Sequence, residues 1–539
     1  MRFNIIVERR YAMYTIALTG ASGAMGEQTL RELMSSDKNY HVNVLLLNDA
    51  ENNAFKRKAK KLYGDRLTVV TGDLVNYEDC KKLVNGSDYV MHVGALIPPR
   101  SDHNAERTRA VNFGGTVNLV KAAKECEKEP AFIYISSVAV YGNRNYLHPW
   151  GRVGDPLLPS AFDVYAATKV RAERYVMESG LKKWAVLRQT AMLHKKMLMN
   201  NVKDGLMFHT SWNAPLEWST SDDSGFLMRQ IADDDVDGKC NEFWYKVYNI
   251  GGGFDSRRTG FDTFDGGFKL IGGSAESFFK PVWNIPRNFH GLWFADSDIL
   301  ENMFHFRHET VDDYWNLIGK MHPEYKVAKI LPPALIRKLV IERLLSDENA
   351  PMKWVKEKSR AKIAAMFGST DNIDFCPVEW KDYPLLCKGQ LVDGEIDYNK
   401  IRDEKYAKEN GYLLDHGYDE TKPDSELDIS DLQSAAAFRG GKLITADFKK
   451  GDIYTPVEWE CHNGHRFKAS PFVVLKAGHW CPECCMPEPW SFDLSAKKVP
   501  FFAQVWYDTH AKNENAVYYY DEYGKPQGYR LMEGQKCKI

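Results

Sequence analysis

Residues 19–26 read TGASGAMG and directly follow the apolar run YTIAL at 14–18. A strand that runs into three glycines spaced three apart admits few structures. Gly20 permits a tight turn out of the strand, Gly23 lets the backbone approach a diphosphate, and Gly26 lets the next helix pack closely on a sheet. Free N–H groups at the start of that helix (Ser22, Ala24 and Met25 lie there) would face the anion, which the helix dipole also favours.

Apolar segments and amphipathic helices alternate from residue 14 to about 188, with strands expected near 14–19, 42–47, 67–70, 89–93, 132–136 and 184–187. That alternation predicts an α/β fold with a doubly wound parallel sheet covered on both faces. With 539 residues, two or three domains are expected. The boundaries read as an N-terminal arm at 1–13, a dinucleotide and substrate domain at 14–335, a helical and mixed connecting region at 336–427 with a charged helix at 336–367, and a C-terminal α+β zinc-binding domain at 428–539. Residues 420–428 read as a linker by composition.

The 71 basic and 73 acidic residues nearly balance, which argues against a globally basic nucleic-acid binder. No apolar run is long enough to span a bilayer. Arg9 and Arg10 before an apolar stretch outline a short signal peptide, but cleavage near Ala21 would destroy the glycine turn. A cytoplasmic location and no membrane partner are therefore expected.

The second strand ends at Asn48-Asp49, where an acid would accept from the adenosine ribose and favour NAD. Lys56, Arg57 and Lys58 follow and would favour the 2′-phosphate of NADP, so the choice stays open. Asp73-Leu74 follows the third strand, where a carboxylate can accept from the adenine amino group. Val93, Gly94 and Ala95 end the fourth strand with small side chains against which a nicotinamide half can lie. His92 reads as a core histidine.

The fifth strand runs into SSVAVYG at 136–142, and YAATK at 165–169 follows one helix later. Spacing of four puts Tyr165 and Lys169 on one helix face. A free tyrosine titrates near pH 10, too high for a base at neutral pH. A nearby ammonium and an oxidised nicotinamide would lower that value. Ser137 would hold the substrate oxygen beside the tyrosine.

Together TGASGAMG, GDL at 72–74, HVGAL, VNFGGTVNLV from Val111, SSVAVYG, YAATK and LRQTA from Leu187 resemble the extended short-chain dehydrogenase/reductases, the NAD-dependent epimerase/dehydratase family. The resemblance implies catalytic roles for Ser137, Tyr165 and Lys169, with Lys169 also on the nicotinamide ribose and Asn112 near the cofactor. It also implies a Rossmann-type doubly wound parallel sheet with a small substrate subdomain, and a homodimer by analogy. The sugar dehydratases of the family carry an Asp-Glu pair where this chain has Val138-Ala139, which argues against that reaction. Residues 216–223 (LEWSTSDD) hold no arginine to clamp a nucleotide-sugar diphosphate. Aromatics at Phe243, Trp244, Tyr245, Phe278, Phe279, Trp283, Phe289, Trp293 and Phe294 read mainly as core, a minority lining an apolar pocket. These features favour a dehydrogenase or reductase of a hydrophobic ketone or alcohol over the rival, a sugar epimerase with tightly bound NAD.

Ten cysteines in so long a chain make no disulfide scaffold. Cys461 and His465, a loop of fifteen, then Cys481 and Cys484 suit a tetrahedral, structural zinc site. His462 and Cys485 are neighbours that could substitute, though the spacing favours His465 and Cys484. From Asp428 the stretch resembles treble-clef zinc-ribbon repeats found beside DNA-acting domains. Lys442, Lys449, Lys450, Arg466, Lys468 and Lys476 are compatible with nucleic acid, but acids alternate with them, so packing on the enzyme or mediating assembly is the favoured role. The reading from another class is an NAD(P)-sensing regulator whose zinc module binds a partner or nucleic acid; an intact Ser137–Tyr165–Lys169 set argues against it.

Overall fold

The computed structural model describes residues 13–197, 204–368, 378–382, 398–520 and 526–531. The expected N-terminal arm lies, except for Met13, outside the described residues, as does part of the connecting region.

Seven strands form one all-parallel sheet: β1 Met13–Thr19, β2 Asn39–Leu46, β3 Leu67–Thr71, β4 Tyr89–His92, β5 Ala131–Ser137, β6 Trp184–Gln189 and β7 Lys246–Ile250. Their spatial order is β7-β6-β5-β4-β1-β2-β3. The order reverses between β1 and β4, the crevice where ligands sit in open α/β sheets. Helices α1 Ala24–Ser35, α2 Ala50–Tyr63, α3 Gly115–Lys124, α4 Val164–Glu178 and α5 Ser221–Val236 accompany the sheet.

Alternation along the strands sends side chains into two cores. Ile16, Leu18, Ile133 and Ile135 join Leu30 and Leu33 of α1 and Leu227 and Ile231 of α5 on one face. Ala17, Phe132 and Tyr134 join Leu119 of α3 and Val176 of α4 on the other. Every residue of β5 is buried, so each of its large apolar side chains contributes roughly 1.5–3 kcal/mol by leaving water.

A smaller part holds a three-stranded sheet of Ala191–Leu193, Pro215–Thr220 and Arg257–Thr259 and an aromatic cluster around Phe208, Trp212, Phe279 and Trp283. Most of the aromatic positions singled out above are buried; Tyr245 is exposed, and Phe289, half-buried, lines the cleft.

The charged helix expected over 336–367 is instead a broken series: Pro333–Ile336, a π-turn at Arg337–Ile341, Glu342–Leu344, Pro351–Lys356 and Arg360–Phe367. Pro351 is the reason for one break, since it holds the preceding Ala350 extended at ψ 126. The acidic stretch read as a linker is packed. Glu420 pairs with Arg152 at 2.6 Å, Asp424 with Lys476 at 2.8 Å, and Leu427 is buried. Composition alone does not reveal that those acids have cationic partners.

After α6 Ile429–Phe438, the hairpin β8 Val457–Glu460 and β9 Arg466–Ala469 is closed by residues 461–465. This C-terminal part shares a hydrophobic cluster with the sheet; Phe472 meets Trp184 edge-on at 5.8 Å.

Candidate active site

The glycine turn folds as its spacing requires. Gly20 has φ +73, and a Cβ there would lie 2.7 Å from the Gly94 Cα; a Cβ on Gly26 would lie 2.1 Å from the Gly20 carbonyl oxygen. Gly23 is less constrained, its nearest atom being the same carbonyl at 3.3 Å. Gly23 is also the N-cap of α1 and puts no side chain over the helix end. The first N–H groups of α1 are thus left for an incoming anion. Such a cradle fits a dinucleotide diphosphate.

Gly20, Ser22, Gly23, Ala24, Met25 and Gly26 line a cleft of about 2830 Å³ that continues past Asp73, Leu74, Val93, Gly94 and Ala95 to Ser137, Tyr165 and Lys169. Two expected residues are not on its wall. Asn48 is exposed and accepts from Asn53 at 3.1 Å; Asp49 lines the cleft instead, capping α2 through the Asn52 N–H at 2.8 Å. Asn112 is buried in a π-turn at Ala110–Gly114. Its amide accepts from the Leu96 N–H at 2.7 Å and donates to the Leu96 carbonyl at 2.9 Å and to Thr168 at 3.1 Å. Asn112 therefore ties the loop after β4 to α4 from behind. His92 is a core histidine bonded to Thr19 and Thr116, and burial lowers it to about 3.

Asp163 starts α4 by accepting from the Ala166 N–H at 2.8 Å and also holds His290 at 2.9 Å. Two residues on, the Tyr165 hydroxyl shares a hydrogen bond with Ser137. Burial pushes Tyr165 up to about 12, partly offset by that bond. Lys169, also buried, donates from Nζ to the Ile135 carbonyl at 2.7 Å and sits 5.7 Å from the Tyr165 ring centroid. Desolvation lowers Lys169 to about 7, against the pull of Glu173. In the protein by itself, burial outweighs the Ser137 hydrogen bond, so Tyr165 stands as a protonated acid at neutral pH.

Part of the wall comes from residues that no motif marks. Arg107 pairs with Asp73, and Asp102, pushed up to about 7 by burial, also lines the cleft. Glu488, Pro489 and Tyr520 reach the cleft from the C-terminal part. Glu488 pairs with Arg109 at 2.7 Å and Tyr520 donates to the Phe162 carbonyl at 2.7 Å. No local motif announces contacts across more than 350 residues.

The four residues expected to ligate a metal converge. The ligand atoms of Cys461, His465, Cys481 and Cys484 all lie within 4.8 Å of one another. His465 Nδ1 is 3.0 Å from the Cys484 sulfur, and the Asn463 N–H donates to the Cys461 sulfur at 3.4 Å. The hairpin turn presents the first pair because Cys461 N–H bonds the His465 carbonyl at 3.0 Å. Three sulfurs and an imidazole at this separation fit zinc chemistry. His462 and Cys485 lie outside the set.

Residues 16–186 match the model of the NAD dependent epimerase/dehydratase family. The chain is 35% identical over 121 residues to a 3 beta-hydroxysteroid dehydrogenase/Delta 5-->4-isomerase of Mycobacterium tuberculosis, an alignment covering 21% of this chain and 31% of the relative. It is 29% identical over 171 residues to a 3-beta-hydroxysteroid dehydrogenase of Mycolicibacterium neoaurum, covering 30% of this chain and 42% of that one. The chain thus spans less than half the length of these curated relatives. Among solved structures, a double mutant of the dTDP-glucose 4,6-dehydratase from Streptomyces venezuelae, with NAD and DAU bound, is similar at TM-score 0.47 and 18% identity, covering 59% of this chain and 100% of that one. No helix among the described residues is long and apolar enough to cross a membrane.

Proposed function

We propose that the chain is an NAD-dependent oxidoreductase that interconverts a carbonyl and an alcohol on a hydrophobic substrate. The observation that carries the reading is one continuous cleft. It runs from the glycine turn to Tyr165, which is bonded to Ser137 and backed by Lys169. Gly20, Gly23 and the start of α1 would hold the diphosphate, and Val93, Gly94, Ala95 and Lys169 the nicotinamide end. The dinucleotide, when bound, supplies the hydride acceptor or donor.

In the reductive direction Tyr165 gives its hydroxyl proton to the oxygen that develops negative charge. Ser137 hydrogen-bonds the same oxygen and fixes its distance from the phenol. Lys169, held by the Ile135 carbonyl, stabilises the phenolate that remains. NAD is favoured over NADP because Asp49 lines the cleft at the end of β2, where a carboxylate repels a 2′-phosphate, while Lys58 is engaged by Glu27 at 2.9 Å.

The substrate end of the cleft carries Trp218, Phe264, Phe268, Phe289 and Trp315, which suits an apolar alcohol. The two mycobacterial relatives are named for hydroxysteroids, an alcohol of that class. Val138 and Ala139 offer no second acid or base for a dehydration. We also assign a structural zinc to Cys461, His465, Cys481 and Cys484, since four protein ligands complete a tetrahedron.

The test is consumption of NADH or NADPH at 340 nm over a panel of steroids, other ketones, aldehydes and nucleotide sugars. Oxidation of NADH by an apolar ketone that is absent in Tyr165→Phe supports the reading. Co-purified NAD with no consumption of added cofactor would replace it with an epimerase.

A further inference from the structure

We propose that His479, carried by the C-terminal Cys3His part, is a positioning residue for the catalytic helix, acting through Glu173. This deepens the oxidoreductase reading and rests on it.

Glu173 lies one turn beyond Lys169 on α4 and is wholly buried. Its carboxylate has four donors. Ser136, next to Ser137, donates at 2.6 Å, and Arg188 donates at 2.6 and 3.2 Å. The fourth is His479 Nε2–H at 2.8 Å, from a residue 306 positions away. One carboxylate thereby ties together the end of β5, the helix bearing Tyr165 and Lys169, and a loop of the C-terminal part. Ser136 and Arg188 face each other in register on β5 and β6, so the clamp spans three elements of the site. Glu173 is also the anion that opposes desolvation of Lys169.

The loop that delivers His479 is held on both sides. Arg188 donates to the Ala477 carbonyl at 2.7 Å and Arg174 to the Trp480 carbonyl at 2.7 Å. Gly478 has φ +79, and a Cβ there would lie 2.1 Å from the Asp155 carbonyl oxygen, so only glycine lets the loop come this close. Two residues after His479 comes Cys481, one of the four clustered ligands. A metal bound there fixes the far end of the loop. The zinc site and the catalytic helix are therefore coupled through Cys481, His479 and Glu173.

The experiment measures NADH dissociation constants by nicotinamide fluorescence on the full chain. Wild type, His479→Ala and His479→Gln are compared, with and without metal removal by a thiol-reactive mercurial and a chelator. Melting temperature and metal content are recorded for each. Glutamine places an N–H donor where Nε2 stands. His479→Ala is expected to bind NADH about tenfold more weakly, the scale of one lost hydrogen bond to a buried charge. His479→Gln should stay within about twofold of wild type. Metal removal should weaken wild type about as much as His479→Ala and add little to that variant. Equal affinity of wild type and His479→Ala overturns the inference, as does a glutamine variant as weak as alanine. Wild type that binds neither NADH nor NADPH overturns the oxidoreductase reading itself, and the inference falls with it.

Discussion

Replacing Arg188 by leucine tests how the site is held. Arg188 and Glu173 are both fully buried and joined at 2.6 and 3.2 Å. The guanidinium also donates to Tyr141 Oη at 2.8 Å and to the Ala477 carbonyl. Removing one partner of a buried pair leaves a charge in low dielectric and costs about 3–5 kcal/mol. The arginine holds the Glu173 carboxyl down at about 2, from an ordinary 4.5. A carboxyl depressed in this way contributes stability that is fully present above pH 4.5 and is lost as pH falls towards 2. Arg188→Leu should therefore lower the melting temperature at pH 7 by on the order of 10 °C. The deficit should shrink as the pH falls from 4.5 towards 2. Arg188→Leu with Glu173→Leu removes both charges and should recover much of the loss, because apolar replacements of a buried pair are often neutral. The double variant should still bind NADH weakly, since the clamp on Ser136 is gone. Melting curves followed by circular dichroism from pH 3 to 8 read all of this. A single variant within about 1 kcal/mol of wild type, or a double variant as unstable as the single, would show that the buried pair does not hold the site in this way.

Gly26→Ala puts a methyl 2.1 Å from the Gly20 carbonyl oxygen and should abolish NADH binding by fluorescence titration while leaving the zinc content unchanged. Cys484→Ser should lose the bound zinc, read by elemental analysis against one equivalent in wild type; retention of a full equivalent would exclude the four-ligand assignment. Lys169 is lowered from 10.5 to about 7 in the folded chain, so the unfolded chain binds the extra proton between those values. The stability advantage of Lys169→Met over wild type should accordingly be largest below pH 7 and shrink as pH rises towards 10.5, read from paired melting temperatures. Asp49→Ala should improve NADPH binding relative to NADH, and an unchanged ratio would move coenzyme choice elsewhere.

What the sequence carried was local. A strand followed by TGASGAMG dictates β1, its turn and α1 through backbone sterics alone, and Tyr165 and Lys169 share a helix face by spacing. That Cys461, His465, Cys481 and Cys484 form one group was also legible, because they fall in two short knuckles, and the fold brings those together. Contacts between distant segments were not. Glu173 and His479 each look ordinary in sequence, and only the docking of residues 477–481 makes them partners. Glu488 and Tyr520 reached the cleft wall the same way. Asn112 was read by resemblance as lying near the cofactor; a π-turn, which has no composition signature, turns its side chain onto the Leu96 backbone. The helix expected over 336–367 failed at Pro351, a residue whose effect falls on its predecessor.

Hydride exchange between a nicotinamide in this cleft and a carbonyl whose proton comes from Tyr165 can be followed by isotope. Its most direct test is a reaction with NADH deuterated at the transferring position and the ketone found active at 340 nm, with the product weighed by mass spectrometry. Wild type should give an alcohol heavier by one mass unit, and Tyr165→Phe, which should still bind the cofactor, should give none. An unlabelled product, or equal labelling by Tyr165→Phe, would contradict it.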